Sequence, residues 1–424
     1  MKEYRKRIID NLLQRKLEST GAVLVEGPKG CGKTTTAEQI ATSSLYLNDP
    51  STMEQNLAMA DLNPYLLLKG KTPRLIDEYQ LAPKLWNAIR HEVDHRENGL
   101  GQFILTGSSV LVDTKQITHT GAGRFSKLRM RTMSLYELGE SNGEVSLKNL
   151  FEGNKNIEGR ANISLEQLAF FICRGGWPDT IGLSDKTALE KAKDHFEAIV
   201  NTEIKRADNV KKNEQRVRNL MRAYAEHQGS QVPNTFLAKE ISQEGHSISE
   251  DTVTSYLNAL RKIFVVEDLP SWLVNLRTKT PIRTMNTHYF VDPSIAVAAL
   301  GYAPNDLLNN LKTFGFLYKT LCIRDLRIYA DASDGQVYHY RDKENQECDA
   351  VIELRNGSYG LVEIKLGGDN LIEMGVKSLL AMKDKIDTTK MKEPSFLMVL
   401  TGIGNYAYRR KDGVLVCPIG CLKD

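Results

Sequence analysis

No two cysteines in this 424-residue chain are spaced C-x-x-C. The six present, Cys31, Cys173, Cys322, Cys348, Cys417 and Cys421, are scattered, which argues against a zinc site and a disulfide framework and predicts reduced thiols. Long apolar runs are also missing. "SIAVAAL" is among the longest, far short of a membrane span. The N-terminus lacks an apolar signal core, since "MKEYRKRIIDNLLQRKLEST" reads as a basic amphipathic helix. A cytoplasmic chain with no membrane contact is the expectation. Charge of one sign is not in excess either: the formal net charge is +3, which neither demands nor excludes a nucleic-acid partner. What remains is ordinary globular composition, 41% hydrophobic and 26% charged, at a length that suggests two to four domains.

The first third carries the strongest local pattern. An apolar strand, Ala22 to Val25, runs into Gly27-Pro-Lys-Gly30-Cys-Gly32-Lys33-Thr34 and then into a helix. This is G-x-x-x-x-G-K-T in the strand–loop–helix context it needs. Gly27, Gly30 and Gly32 let backbone N–H groups curl around a phosphate, and the helix, entered at Thr34 and Thr35, points its positive end at the same anion. Lys33 is expected on the β- and γ-phosphates of ATP and Thr34 on Mg²⁺. In "TPRLIDEYQ", Leu75 and Ile76 lead to Asp77, expected to hold Mg²⁺ through water, and Glu78, expected to polarise an attacking water as general base. "GQFILTGSSV" reads as a buried strand ending in Thr106, and "GAGRF" places Arg124 just before another strand. "HEVDH", His91 to His95, matches the zinc-protease pattern H-E-x-x-H. It falls on the helix after the acidic strand with no third ligand in view, so a solvated helix face is the better account.

Residues 134–210 read as largely helical, with a turn at "RGGWPDTI". A basic cluster follows: Lys205, Arg206, Lys211, Lys212, Arg216, Arg218 and Arg222. A short helix, a turn at Gly245 and a longer helix capped by Ser249 come next. Val253, Tyr256, Leu257, Leu260 and Phe264 fall on its core face, and Glu250, Asp251, Thr254, Ser255 and Asn258 on its outer one. With "IFVVEDLPSW" as an apolar hairpin, this is a winged helix-turn-helix pattern. It suits DNA contact or protein docking equally, since the outer face is not basic. Near the C-terminus, "ECDAVIELRNGSYGLVEIKLGG" gives two strands bearing Asp349, Glu363 and Lys365. Glu363 and Lys365 share one face because side chains alternate. The three could hold a divalent metal and a water over a phosphodiester, or form a plain ion pair.

The succession "VEGPKGCGKTT", "RLIDEYQ", "ILTGSS", "GAGRF", "RGGWPD", "TVTSYLNAL", "HYFVDPSI", "GFLYKTLCIRDLRIYA" and "VEIKLG" resembles a group of prokaryotic AAA-superfamily ATPases with a C-terminal domain of unknown function. The resemblance implies an α/β chain in four parts: a P-loop AAA-type ATPase domain over 1–133, a helical lid over 134–210, a winged helix-turn-helix over 211–275 and a PD-(D/E)XK restriction-endonuclease-like α/β module over 276–424. It implies a phosphate sensor at Thr106 and a finger for a neighbour's γ-phosphate, or a plain surface arginine, at Arg124. A homo-oligomer and DNA or another nucleic acid are the implied partners. In the nuclease-like module Asp349, Glu363 and the Ile364 carbonyl would ligate Mg²⁺, with Lys365 on the water or phosphate. A glutamate expected on the preceding helix is Lys319 here, an ammonium set against that cation. The expected activity is ATP binding and hydrolysis on or near nucleic acid. The alternatives are an ATP-gated metal-dependent nuclease and a non-enzymatic switch that docks a protein.

Overall fold

A computed structural model describes residues 3–110, 121–207, 212–243, 248–277 and 280–424. Lys211, Gly245 and the Arg206 side chain lie outside the described residues. The chain divides into two compact units: residues 1–132, 201–212 and 258–265, and residues 133–200, 213–257 and 266–424.

The first unit is built on strands β1 (Ala22–Glu26), β2 (Ser43–Tyr46), β3 (Arg74–Asp77), β4 (Phe103–Gly107) and β5 (Phe125–Arg129), all parallel in the order β2-β3-β4-β1-β5. A parallel sheet covered on both faces needs strands apolar at every position. "AVLV" and "FIL" meet that need: Ala22, Leu24, Phe103 and Leu105 enter one core, and Val23, Val25 and Ile104 enter another. The first core packs helix Leu85–His95 and the second packs Ile9, Leu12, Leu13 and Leu17 of helix Ile8–Ser19. The expected P-loop sheet is therefore present.

The second unit holds β6 (Val145–Ser146), β7 (Gly159–Arg160), β8 (Gly335–Arg341), β9 (Glu347–Leu354), β10 (Tyr359–Lys365), β11 (Phe396–Thr401), β12 (Tyr406–Arg409), β13 (Leu415–Pro418) and β14 (Leu422–Lys423). Seven form one mixed sheet, β7-β12-β13-β11-β10-β9-β8, and β14 pairs with β6. Helix Leu311–Ala332 packs on β8, β9 and β10, and helix Asp369–Lys385 on β9, β10 and β11.

Two segment boundaries differ from expectation. Within the expected lid at 134–210, residues up to 200 group with the second unit, where β6 and β7 pair with strands from the C-terminus, and residues from 201 group with the first. The run 263–272 does not fold back on itself. Val266 bridges Phe290, Leu269 bridges Thr287, and Ser271 bridges His339. Trp272 then packs in the core of the seven-stranded sheet with Tyr340 and Tyr359, so a boundary at 275 would sever it from its partners. An apolar run shows that a strand is buried but not what it pairs with.

"RGGWPD" and "YFVDPSI" meet in the core of the second unit. Gly176 N donates to Asp292 Oδ2 at 2.9 Å, and Trp177 Nε1 donates to Ser294 Oγ at 2.9 Å. Gly175 sits at φ 72°, and a Cβ there would lie 2.3 Å from Asp292 Oδ1. Arg324, fully buried, donates to Asp292 Oδ2 at 3.1 Å and to Asp325 Oδ1 at 2.8 Å. Asp325 also accepts from Leu135 N at 2.9 Å. Burial pushes the Asp325 carboxyl up to about 6, against the opposing charge of Arg324.

Candidate functional site

The C-terminal ends of β1, β3 and β4 lie side by side, so the loops that follow them share one edge of the sheet. Gly30 (φ 84°) and Gly32 (φ 102°) adopt left-handed backbone that lets the loop after β1 turn its amides inward. Gly27 is required for a different reason: a Cβ there would lie 2.0 Å from the Met130 carbonyl oxygen. Lys33 opens helix Lys33–Glu38 and is buried, its Nζ donating to the carbonyls of Gly27 and Pro28 at 2.9 Å each. These weak neutral acceptors hold the ammonium over the loop, where a phosphate would outbid them. Thr35, two positions on, is exposed.

Two hydroxyls converge on one carboxylate oxygen. Thr34 Oγ1 donates to Asp77 Oδ1 at 2.6 Å and Thr106 Oγ1 donates to the same oxygen at 2.5 Å. Burial pushes the Asp77 carboxyl up, and the two hydroxyls oppose that shift. A carboxylate and a hydroxyl 2.6 Å apart beside a buried ammonium are hard oxygen donors that fit Mg²⁺ with a nucleotide phosphate. Glu78 has left-handed backbone (φ 57°), a strained state for a residue with a side chain. Its amide donates to Thr106 Oγ1 at 3.3 Å, and its Oε2 accepts from Ser108 Oγ at 3.0 Å and from Gln80 Nε2.

Arg124 does not join this group. It precedes β5, whose first residue pairs with Ala22 at the start of β1, so it stands at the opposite edge of the sheet from the P-loop. Its Nε donates to Asp94 Oδ1 at 2.7 Å. His91 and His95 stack at 4.0 Å between ring centroids, and His95 Nδ1 lies 2.8 Å from the His91 carbonyl. Among the described residues no group of three His, Cys, Asp or Glu is placed to hold a metal ion.

Several supports of the P-loop carry no local motif. Buried Arg7 donates through Nη1 to the Cys31 carbonyl at 2.9 Å and through Nη2 to the Arg131 carbonyl at 3.0 Å. Tyr4 Oη donates to Asp10 Oδ1 at 2.7 Å and lies 3.0 Å from Thr36 Oγ1. Lys29, inside the loop, pairs with Glu203 at 2.9 Å. These contacts span up to 174 residues of sequence, so no local pattern announces them.

In the second unit Asp349, Glu363 and Lys365 do come together, and Lys319 joins them. Lys319 Nζ lies 2.5 Å from Asp349 Oδ1, and Lys365 Nζ lies 2.6 Å from Glu363 Oε2 and 3.5 Å from Asp349 Oδ2. Burial alone would raise Asp349, but the charges of Lys319 and Lys365 hold it well below the usual carboxylate range. Glu363 is pushed up by burial and by the Asp349 charge. Lys212 is buried, Arg218 is paired with Glu197 at 2.5 Å, and Arg222 is 3.6 Å from Glu226.

Three families match parts of the chain: an AAA domain over residues 19–139, and two domains of unknown function, DUF8612 over 165–306 and DUF4143 over 314–422. No curated protein matches it. Among solved structures, a Walker-type ATPase of Pyrococcus abyssi is 12% identical, with a TM-score of 0.40 over 68% of this chain and 94% of that one. The RuvB Holliday junction branch migration motor of Thermotoga maritima is 17% identical, with a TM-score of 0.27 over 62% of this chain and 89% of that one. The AAA-domain match covers the five-stranded sheet and the loops just described, so the first unit carries an AAA-type ATPase domain.

Proposed function

We propose that this chain binds ATP with Mg²⁺ and hydrolyses it slowly. The observation that carries the reading is the convergence of Thr34 and Thr106 on Asp77 Oδ1 beside the buried Lys33 ammonium. Lys33 offers its charge to the β- and γ-phosphates. Thr34 and Asp77 are the donors for the cation, which when bound neutralises phosphate charge. Thr106 holds the Asp77 carboxylate and the Glu78 backbone in register, and Glu78 takes the proton of the attacking water. Slow turnover follows from the hydrogen bonds that Glu78 Oε2 already accepts from Ser108 and Gln80, which must open before that oxygen meets the attacking water. The test is phosphate release beside nucleotide binding. Wild type is expected to release phosphate with Mg²⁺ and to stop with EDTA. Lys33→Ala is expected to bind ATP roughly 10- to 150-fold more weakly, the size of one charge-assisted bond to a buried group. Unchanged affinity in Lys33→Ala would refute the phosphate role.

The partner we infer for helices Glu214–Glu226, Asn234–Gln243 and Glu250–Lys262 is a protein. Glu250 and Asp251 are exposed at the start of the third helix, where they would repel a phosphate backbone. Duplex DNA is therefore expected to show no salt-dependent anisotropy change with the full chain. Tight binding that falls steeply with salt would reverse the assignment.

A further inference from the structure

Lys319 and Lys365 face Asp349 and Glu363 in a cluster whose formal charges cancel. The two acids are the deepest members, with side chains 11% and 4% exposed, against 22% and 20% for the two lysines. Buried carboxylates persist as anions only when paired and hydrogen-bonded. Here every carboxylate oxygen has a donor. Asp349 Oδ1 takes Lys319, and Asp349 Oδ2 takes Ile364 N at 2.9 Å with Lys365 at 3.5 Å. Glu363 Oε1 takes Ser378 Oγ at 3.1 Å and Glu363 Oε2 takes Lys365 at 2.6 Å.

A divalent cation needs those same lone pairs, and Mg²⁺ asks for near-octahedral oxygen coordination. Two carboxylates already engaged by two ammoniums do not fit that demand. Ser378 belongs to helix Asp369–Lys385 and Lys319 to helix Leu311–Ala332, so the cluster also ties both flanking helices to β9 and β10.

We propose that the Lys319 ammonium stands as a built-in cation in this cluster, so that the C-terminal sheet is held by a metal-independent ion quartet, and that removing this one charge opens a divalent-cation site at Asp349 and Glu363. The inference does not depend on ATP hydrolysis in the first unit. Manganese is the probe because it accepts the same oxygen donors as magnesium.

The experiment is calorimetric Mn²⁺ titration of the full chain without nucleotide, in wild type, Lys319→Glu, Lys319→Gln and Lys319→Glu/Asp349→Asn. Reversing a unit charge about 4 Å from the cation position is expected to raise affinity about a hundredfold in Lys319→Glu. The neutral Lys319→Gln is expected to gain roughly tenfold, which keeps the test open if the glutamate variant does not fold. The double variant should return to wild-type binding, which separates this site from the nucleotide site. Melting of wild type should be unchanged by EDTA. No gain in either single variant would overturn the proposal. So would an EDTA-dependent loss of wild-type stability, or plasmid nicking by wild type that Asp349→Ala abolishes.

Discussion

Glu78→Gln is expected to retain ATP and lose turnover by about 10²–10⁴-fold, the usual contribution of a positioned base. The amide keeps the shape of the side chain and can still meet Ser108 and Gln80. It cannot accept the proton of the attacking water. Lys33, Thr34 and Asp77 are untouched, so nucleotide affinity should stay within a few-fold of wild type. Phosphate release measured beside equilibrium nucleotide binding separates the two effects. Hydrolysis at the wild-type rate would mean that another group activates the water, and the left-handed backbone at Glu78 would then need a structural reason.

Arg324→Met is expected to destabilise the second unit by about 3–5 kcal/mol. The guanidinium is 2% exposed as a whole residue and stands between two fully buried carboxylates, Asp292 and Asp325. Methionine fills similar volume but takes the Arg324 charge away from both acids. One of them must then take up a proton or draw in water. Trp177 is bonded to Ser294 beside Asp292, so urea unfolding followed by tryptophan fluorescence reports this core. Adding Asp292→Asn to Arg324→Met should recover part of the loss, because one uncompensated charge is gone. A loss below about 1 kcal/mol in the single variant would show that the acids are neutralised by other means.

How much of this was legible depended on distance along the chain. The strand, loop and helix of the P-loop are contiguous, and each glycine's reason is local backbone geometry. Strands β1 and β4 were legible too, since strands buried on both faces read as unbroken apolar runs. The braces on that loop were not. Arg7 reaches Cys31, and Glu203 reaches Lys29, by tertiary approach that leaves no spacing to read. The run 263–272 was recognisable as buried strand, yet its partners at 287–290 and 339 lie in segments that periodicity cannot link to it. Residues 134–210 looked like a lid because helices dominate them, yet those up to 200 group with the second unit. Their allegiance is set instead by two-residue strands at 145 and 159, too short to register as a pattern. The meeting of Lys319 with Asp349 was suggested by position in a resemblance, not by anything in the local residues.

The division of the first unit into residues 1–132, 201–212 and 258–265 has a consequence for how the chain matures. A fragment ending at Thr132 would lack Glu203, the partner of Lys29, and Phe264, whose ring Arg129 covers at 4.1 Å. During synthesis these two contacts therefore wait until residue 264 has left the ribosome. By then 133–200 and 213–257, which belong to the other unit, are already out. Domains usually form one after another from the N-terminus. Here the last contacts of the first unit are supplied by segments that follow parts of the second, so the two emerge as interleaved products of one translation event.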